Sequence, residues 1–132
     1  MAVDHSEVSE RALAAARDLA LLSKGQVWVL HLREREVIPR MGLVPAEEDT
    51  EAKAEVTAAV DELTAAGVTA HGVIRDCIFG HAAREIIDDA REHQADVIVM
   101  GSRGRGDLAG LVLGSTAHKV IHLADRPVLV VR

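Results

Sequence analysis

The sequence predicts a single open α/β domain, a doubly wound five-stranded parallel sheet with helices on both faces. Two observations predict it. Short β-branched runs alternate with longer helical patterns along the whole chain, and the runs VWVLHL, VIVM and VLVV are continuously apolar rather than alternating. Strand and helix alternating through one domain imply parallel strands joined by right-handed crossovers. Continuous apolarity is what strands covered on both faces require. At 132 residues the chain fits one domain with a substantial core.

The first predicted strand, Met1 to Val3, ends at Asp4. It spans roughly 10 Å at the usual rise per residue, short for a strand in mid-sheet. A helix from about Ser6 to Leu22 follows. Its opening, Asp-His-Ser-Glu, resembles a capping box that satisfies its own donors, and Asp4 reads as an N-cap, a role compatible with facing a pocket. Val27 to Leu32 is the second strand. The stretch Arg33 to Thr50 is long, charged and broken by Pro39, Gly42 and Pro45, so it reads as a loop: a lid, a contact surface or a disordered segment. A helix from Glu47 to Ala66 and a strand from Thr69 to Ile74 come next. In the third helix, His81 to His93, Ala82, Ala83, Ile86, Ile87 and Ala90 share one face while Arg84, Asp88 and Arg91 share the other. The strand Val97 to Met100, a helix from Ser115 to Leu123 and the strand Pro127 to Val131 complete the chain. The last strand is expected at the sheet edge, where exposed aliphatic backbone invites pairing with another chain.

In doubly wound sheets ligands sit at the carboxyl ends of the strands, where the winding reverses. At one such end stands Gly101-Ser-Arg-Gly104, then nine residues, then Gly114-Ser115. Glycines there permit sharp turns and close approach of backbone to a ligand. The helix opening at Ser115 has no Asp or Glu in Ser-Thr-Ala-His-Lys, so its N–H groups and positive dipole end are open to an anion. No GxxxxGK[ST] string occurs, which excludes a P-loop. Gly104-x-Gly106-x-x-Ala109 matches a dinucleotide fingerprint by letter. However, Asp125 precedes the next strand instead of ending it, and no βα units remain for a second half.

Bulk properties narrow the partners. Trp28 and Phe79 are the only aromatic residues apart from histidines, so a bound base would lie between aliphatic side chains. That scarcity and a net charge of -6 argue against nucleic acid. Cys77 is the single cysteine, which excludes an intramolecular disulfide and fits a reducing cytoplasmic setting. No apolar run is long enough to cross a bilayer as a helix, and the sequence is read as soluble and unexported.

The chain resembles the universal stress protein family over nearly its whole length. VDHSEVSERAL resembles that family's start, VWVLHL its second strand, and ADVIVMGSRGRGDLAGLVLGSTAHKVIHLADRPVLVV its most recognisable block. The resemblance implies a strand order of 3-2-1-4-5. It also implies ATP binding, because the glycine pattern is complete, with Mg²⁺ held mostly through the phosphates. Position by position, it places Ala2, Val3 and Asp4 at the end of the first strand and Leu32 at the end of the second beside the adenine. Met100 and Gly101 fall near the nucleoside, and Gly104, Gly114, Ser115 and Thr116 around the phosphates. His5 departs from the family's usual glycine and either narrows the pocket mouth or points outward. The resemblance further implies a regulatory, cytoplasmic homodimer joined through Pro127 to Val131. The alternatives are an adaptor of the same fold that binds no nucleotide and a weak ATPase or phosphotransfer enzyme.

Other residues carry weaker signals. Arg103 and Arg105 either reach phosphates or are solvated loop charges. His118 and His122 lie one helical turn apart without a third ligand, and read as surface or interface residues. No nucleophile, base and orienting acid stand at telling spacings, and Asp4 is the one carboxylate expected beside the phosphates. Any hydrolysis should therefore be slow.

Overall fold

The computed structural model describes residues 1–45, 48–104 and 113–132. Its elements are β1 (Ala2–Val3), α1 (Glu7–Ser23), β2 (Gln26–Ile38), β3 (Gly42–Pro45), α2 (Asp49–Ala65), β4 (Thr69–Ile78), α3 (Ala82–Glu92), β5 (Ile98–Gly101), α4 (Ser115–Leu123) and β6 (Val128–Val131). The four predicted helices and five predicted strands are all present, and β3 is an addition.

Side-chain alternation along the strands divides the core between two faces. On one face Val3, Val27 and Val29 pack against Leu13 and Ala20 of α1 and Ala59 and Leu63 of α2. On the other, Leu30, Ile98 and Met100 pack against Ala83, Ile86, Ile87 and Ala90 of α3 and Ala117 and Val120 of α4. Val99 turns back towards Ala12 and Ala16 of α1. Helices thus cover both faces, and the apolar stripe predicted for α3 is buried. The core is aliphatic, as the composition requires.

The parallel ladders run β4-β2-β1 and β5-β6, the two halves of the predicted order. Among the described residues no ladder joins β1 to β5, so the hydrogen bonds form a four-stranded sheet and a separate pair rather than one five-stranded sheet. The reason is length. β1 has two residues, paired as Ala2 with Leu30 and Val3 with His31, and packs beside β5 without bonding to it.

The predicted loop 33–50 is corrected. β2 continues to Ile38 and turns back into β3, an antiparallel hairpin with Ile38 opposite Gly42 and Val37 opposite Leu43. β4 likewise runs on to Ile78 beside it, Arg35 pairing with Ile78. Because β2 binds β4 along one edge, β3 must lie on the other, the β1 edge, beyond the point where β1 ends. Cross-strand ion pairs hold the charged extension together: Arg33 meets Asp76 at 2.8 Å and Arg35 meets it at 2.5 Å. The hydrogen bond from Arg35, with Arg33 beside it, holds the Asp76 carboxyl below its ordinary range.

Cys77 is buried. Burial, reinforced by the charges of Glu34, Glu85 and Asp76, pushes its thiol up to about 11. Thiolate is the reactive form, so iodoacetamide at pH 8 is expected to label Cys77 in the folded protein roughly 100-fold more slowly than in urea. Equal rates, read by mass spectrometry, would contradict the burial.

Candidate functional site

The carboxyl ends of β1 and β5 lie side by side. From β1 the chain passes Asp4 and enters α1. The N-cap of α1 is Ser6 rather than Asp4: the Ser6 Oγ accepts the Ser9 amide at 3.2 Å. The predicted box is therefore corrected to Ser6 and Ser9, the Ser9 hydroxyl accepting the Asp4 amide at 3.0 Å. Asp4 is left to orient its carboxylate. Its Oδ1 accepts from the Ser6 hydroxyl at 2.5 Å, while its Oδ2 lies 2.7 Å from where a Cβ on Gly104 would stand.

From β5 the chain passes through the glycine segment. At Gly101 a Cβ would meet the Val8 side chain at 3.1 Å and the Arg103 carbonyl at 3.2 Å, so this turn tolerates nothing larger without a shift of its neighbours. Ser102, which the sequence reading passed over, is almost fully buried and ties the loop together. Its amide donates to the Val131 carbonyl at 2.6 Å, and its carbonyl accepts the Gly114 amide at 2.7 Å. The available signal was its place inside the glycine motif.

Gly114 is the N-cap of α4, buried and in extended conformation. Among the described residues no side chain caps this helix, and its first turn holds no acid. By contrast, α1 has its serine cap and Glu7 and Glu10 in its first turn. One helix start at this end of the sheet is electrostatically closed and the other open to an anion.

Leu32 lies one residue past the β1 ladder and so falls opposite Asp4 in register. The Leu30 amide donates to the Met1 carbonyl, so the alternation of a strand directs the Leu32 main-chain groups to that same edge. Ala2, Val3 and Met100 are pairing residues of β1 and β5 beneath the site. Ser115 is exposed and Thr116 half-buried at the start of α4. All ten predicted site residues thus lie around the carboxyl ends of β1 and β5 and the start of α4, but Leu32, expected to end the second strand, stands midway along β2, which runs on to Ile38. Arg103 is exposed, and Arg105, Gly106 and Ala109 lie outside the described residues. His118 and His122 stack 6.1 Å apart on an exposed face, and no group of three metal ligands forms among the described residues.

His5 does not stand alone at the pocket mouth. Its Nε2 lies 3.4 Å from Oε2 of Glu55 on α2, and the same oxygen lies 2.6 Å from Nδ1 of buried His31. Trp28 is at the opposite end of the strands, stacked between His71 and His93. A small cavity there, lined by Met1, Trp28, Ile86, Asp89, His93 and Val97 among others, is separate from the glycine segment.

The fold and the site together define a parallel α/β domain with a glycine loop and an uncapped helix start at the carboxyl ends of its strands. The chain belongs to the universal stress protein family, whose model matches residues 1–132. It is 33% identical over 145 residues to universal stress protein YxiE of Bacillus subtilis, covering 100% of this chain and 96% of that one. The universal stress protein from Archaeoglobus fulgidus, solved in complex with dAMP, is similar with a TM-score of 0.76 at 29% identity, covering 99% of this chain and 94% of that one. UspA from Lactobacillus plantarum has a TM-score of 0.82 at 22% identity over 99% of this chain and 94% of its own, a likeness of fold. No helix among the described residues is long and apolar enough to cross a membrane.

Proposed function

We propose that this chain binds ATP, with Mg²⁺ carried mainly by the phosphates, and acts as a nucleotide-dependent regulatory protein of the stress response. The adenine lies beside Asp4 and Leu32, above Ala2 and Val3. The nucleoside follows past Met100 and Gly101, and the phosphates meet Gly104, Gly114, Ser115 and Thr116. The observation that carries this reading is the open start of α4, with no cap and no acid in its first turn, at the end of the loop whose Gly104 lies against Asp4 of the β1–α1 turn. The dAMP complex of the Archaeoglobus relative supports the adenine half.

Hydrogen bonds to a charged group contribute about 1.5 to 3 kcal/mol each. A few main-chain donors and the Ser115 hydroxyl therefore hold a triphosphate at roughly micromolar affinity after the costs of binding. Asp4 is occupied with Ser6, and turnover is expected to be absent or slow.

The active form in this reading is a cytoplasmic homodimer joined through the C-terminal strand, predicted as Pro127 to Val131. In support, β6 has β5 along one edge, and Leu129 on it is exposed. Calorimetry with Mg-ATP is the test: heat with a dissociation constant near the micromolar range is expected. Absence of heat, together with no adenine nucleotide in a mass spectrum of the purified protein, would overturn the reading.

A further inference from the structure

The turn that carries Asp4 is braced from a helix far away in sequence. α2 buries Ala52, Val56, Ala59 and Leu63 along its whole length, with Val60 packed beside them. It also makes polar attachments to the sheet. Asp49 contacts Arg33 of β2, which also holds Asp76 of β4 at 2.8 Å. Six residues further on, Glu55 turns inward until little of it is exposed, and its Oε2 meets two imidazoles: His31 Nδ1 at 2.6 Å and His5 Nε2 at 3.4 Å. The two rings lie 5.8 Å apart and tilted.

A carboxylate so far from water requires polar partners, and removing one leaves it poorly satisfied. His31 is fixed within β2, its backbone paired with Val3. His5 is the partner that belongs to a turn, and the next residue back is Asp4, whose Oδ2 borders Gly104.

We infer that Glu55 and His5 form a strut that sets the Asp4 turn, making Glu55 a positioning residue for nucleotide affinity although it lies outside the site. This rests on the nucleotide reading above. Glu55 fixes the His5 ring from α2, the ring fixes the backbone of residues 4–6, and that backbone presents the Asp4 carboxylate to the ligand. α2 thereby acquires an energetic connection to the nucleotide that its apolar face alone would not provide.

Glu55→Gln and His5→Gly are each expected to weaken Mg-ATP binding by roughly tenfold, and the double variant by no more than either, as residues acting through one contact should. Leu63→Val, a truncation on the apolar face of α2, is expected to lower the melting temperature while leaving the dissociation constant within about twofold, which separates a strut from general loosening of the helix. Amide exchange across Asp4 to Ser6 in the unliganded protein reads the strut apart from any ligand, and it rises in both strut variants. Unchanged exchange, or affinities within twofold of the unmodified protein, overturns the inference. Absence of binding by the unmodified protein overturns the nucleotide reading, and the affinity role of Glu55 with it.

Discussion

Gly104→Val is expected to abolish measurable Mg-ATP binding, a loss of at least about 100-fold, or roughly 2.7 kcal/mol, with little change in melting temperature. A Cβ at this position would stand 2.7 Å from Asp4 Oδ2, closer than carbon and oxygen tolerate, and valine adds two methyl groups beyond it. The Asp4 carboxylate cannot simply swing aside, because its other oxygen accepts from the Ser6 hydroxyl and the Asp4 amide is held by Ser9. The side chain would therefore displace the turn or fill the space that the proposed reading assigns to the phosphates. Stability should barely change, because Gly104 is exposed and outside any helix or strand. Calorimetry beside a thermal melt checks both halves. Affinity within threefold of the unmodified protein would remove Gly104 from the site.

Leu63→Ala is expected to cost about 3 kcal/mol and to lower the melting temperature by roughly 10 °C. Leu63 is fully buried in α2, in a cluster with Val3, Leu13, Val27, Val29 and Val68. Its neighbours belong to β1, β2, α1 and the approach to β4, so no single element can move in to fill the cavity. Domains of this kind have total stabilities of about 5 to 15 kcal/mol, and the loss is a large part of that. Urea unfolding measures it, and a cost below about 1 kcal/mol would show that this face of the sheet repacks freely.

Much of the fold was legible in the residues because its signals are local. The 3.6-residue stripe of α3 needs no knowledge of what lies beneath it, and the apolar runs of β2, β5 and β6 announce strands covered on both faces. The geometry of the candidate site was legible for a related reason. Gly101, Gly104 and Gly114 are separated by short spacings after a strand, and the missing acid after Ser115 is visible in five letters. The hairpin was misread because Arg33-Glu-Arg-Glu looks like solvated loop. What makes it strand is Asp76, more than forty residues away, which pairs with both arginines across the sheet. The cap was misplaced because Asp4 and Ser6 both suit that role, and only the turn geometry shows which one accepts an amide of the first turn.

By itself, the sequence determined the four helices and the apolar centres of five strands, that the core is aliphatic, and that one helix start is left open at the end of a glycine loop. Those properties follow from the periodicity, size and charge of near neighbours. Tertiary structure decided which backbone edges bond to one another and which distant side chains share a charge. β1 is too short to link the two sheet segments, a fact about pairing partners rather than about Met1 to Val3 alone. Likewise, nothing in Asp-His-Ser indicates that His5 meets Glu55 from fifty residues away, because that contact exists only once α2 has packed on the sheet and a buried carboxylate needs a partner.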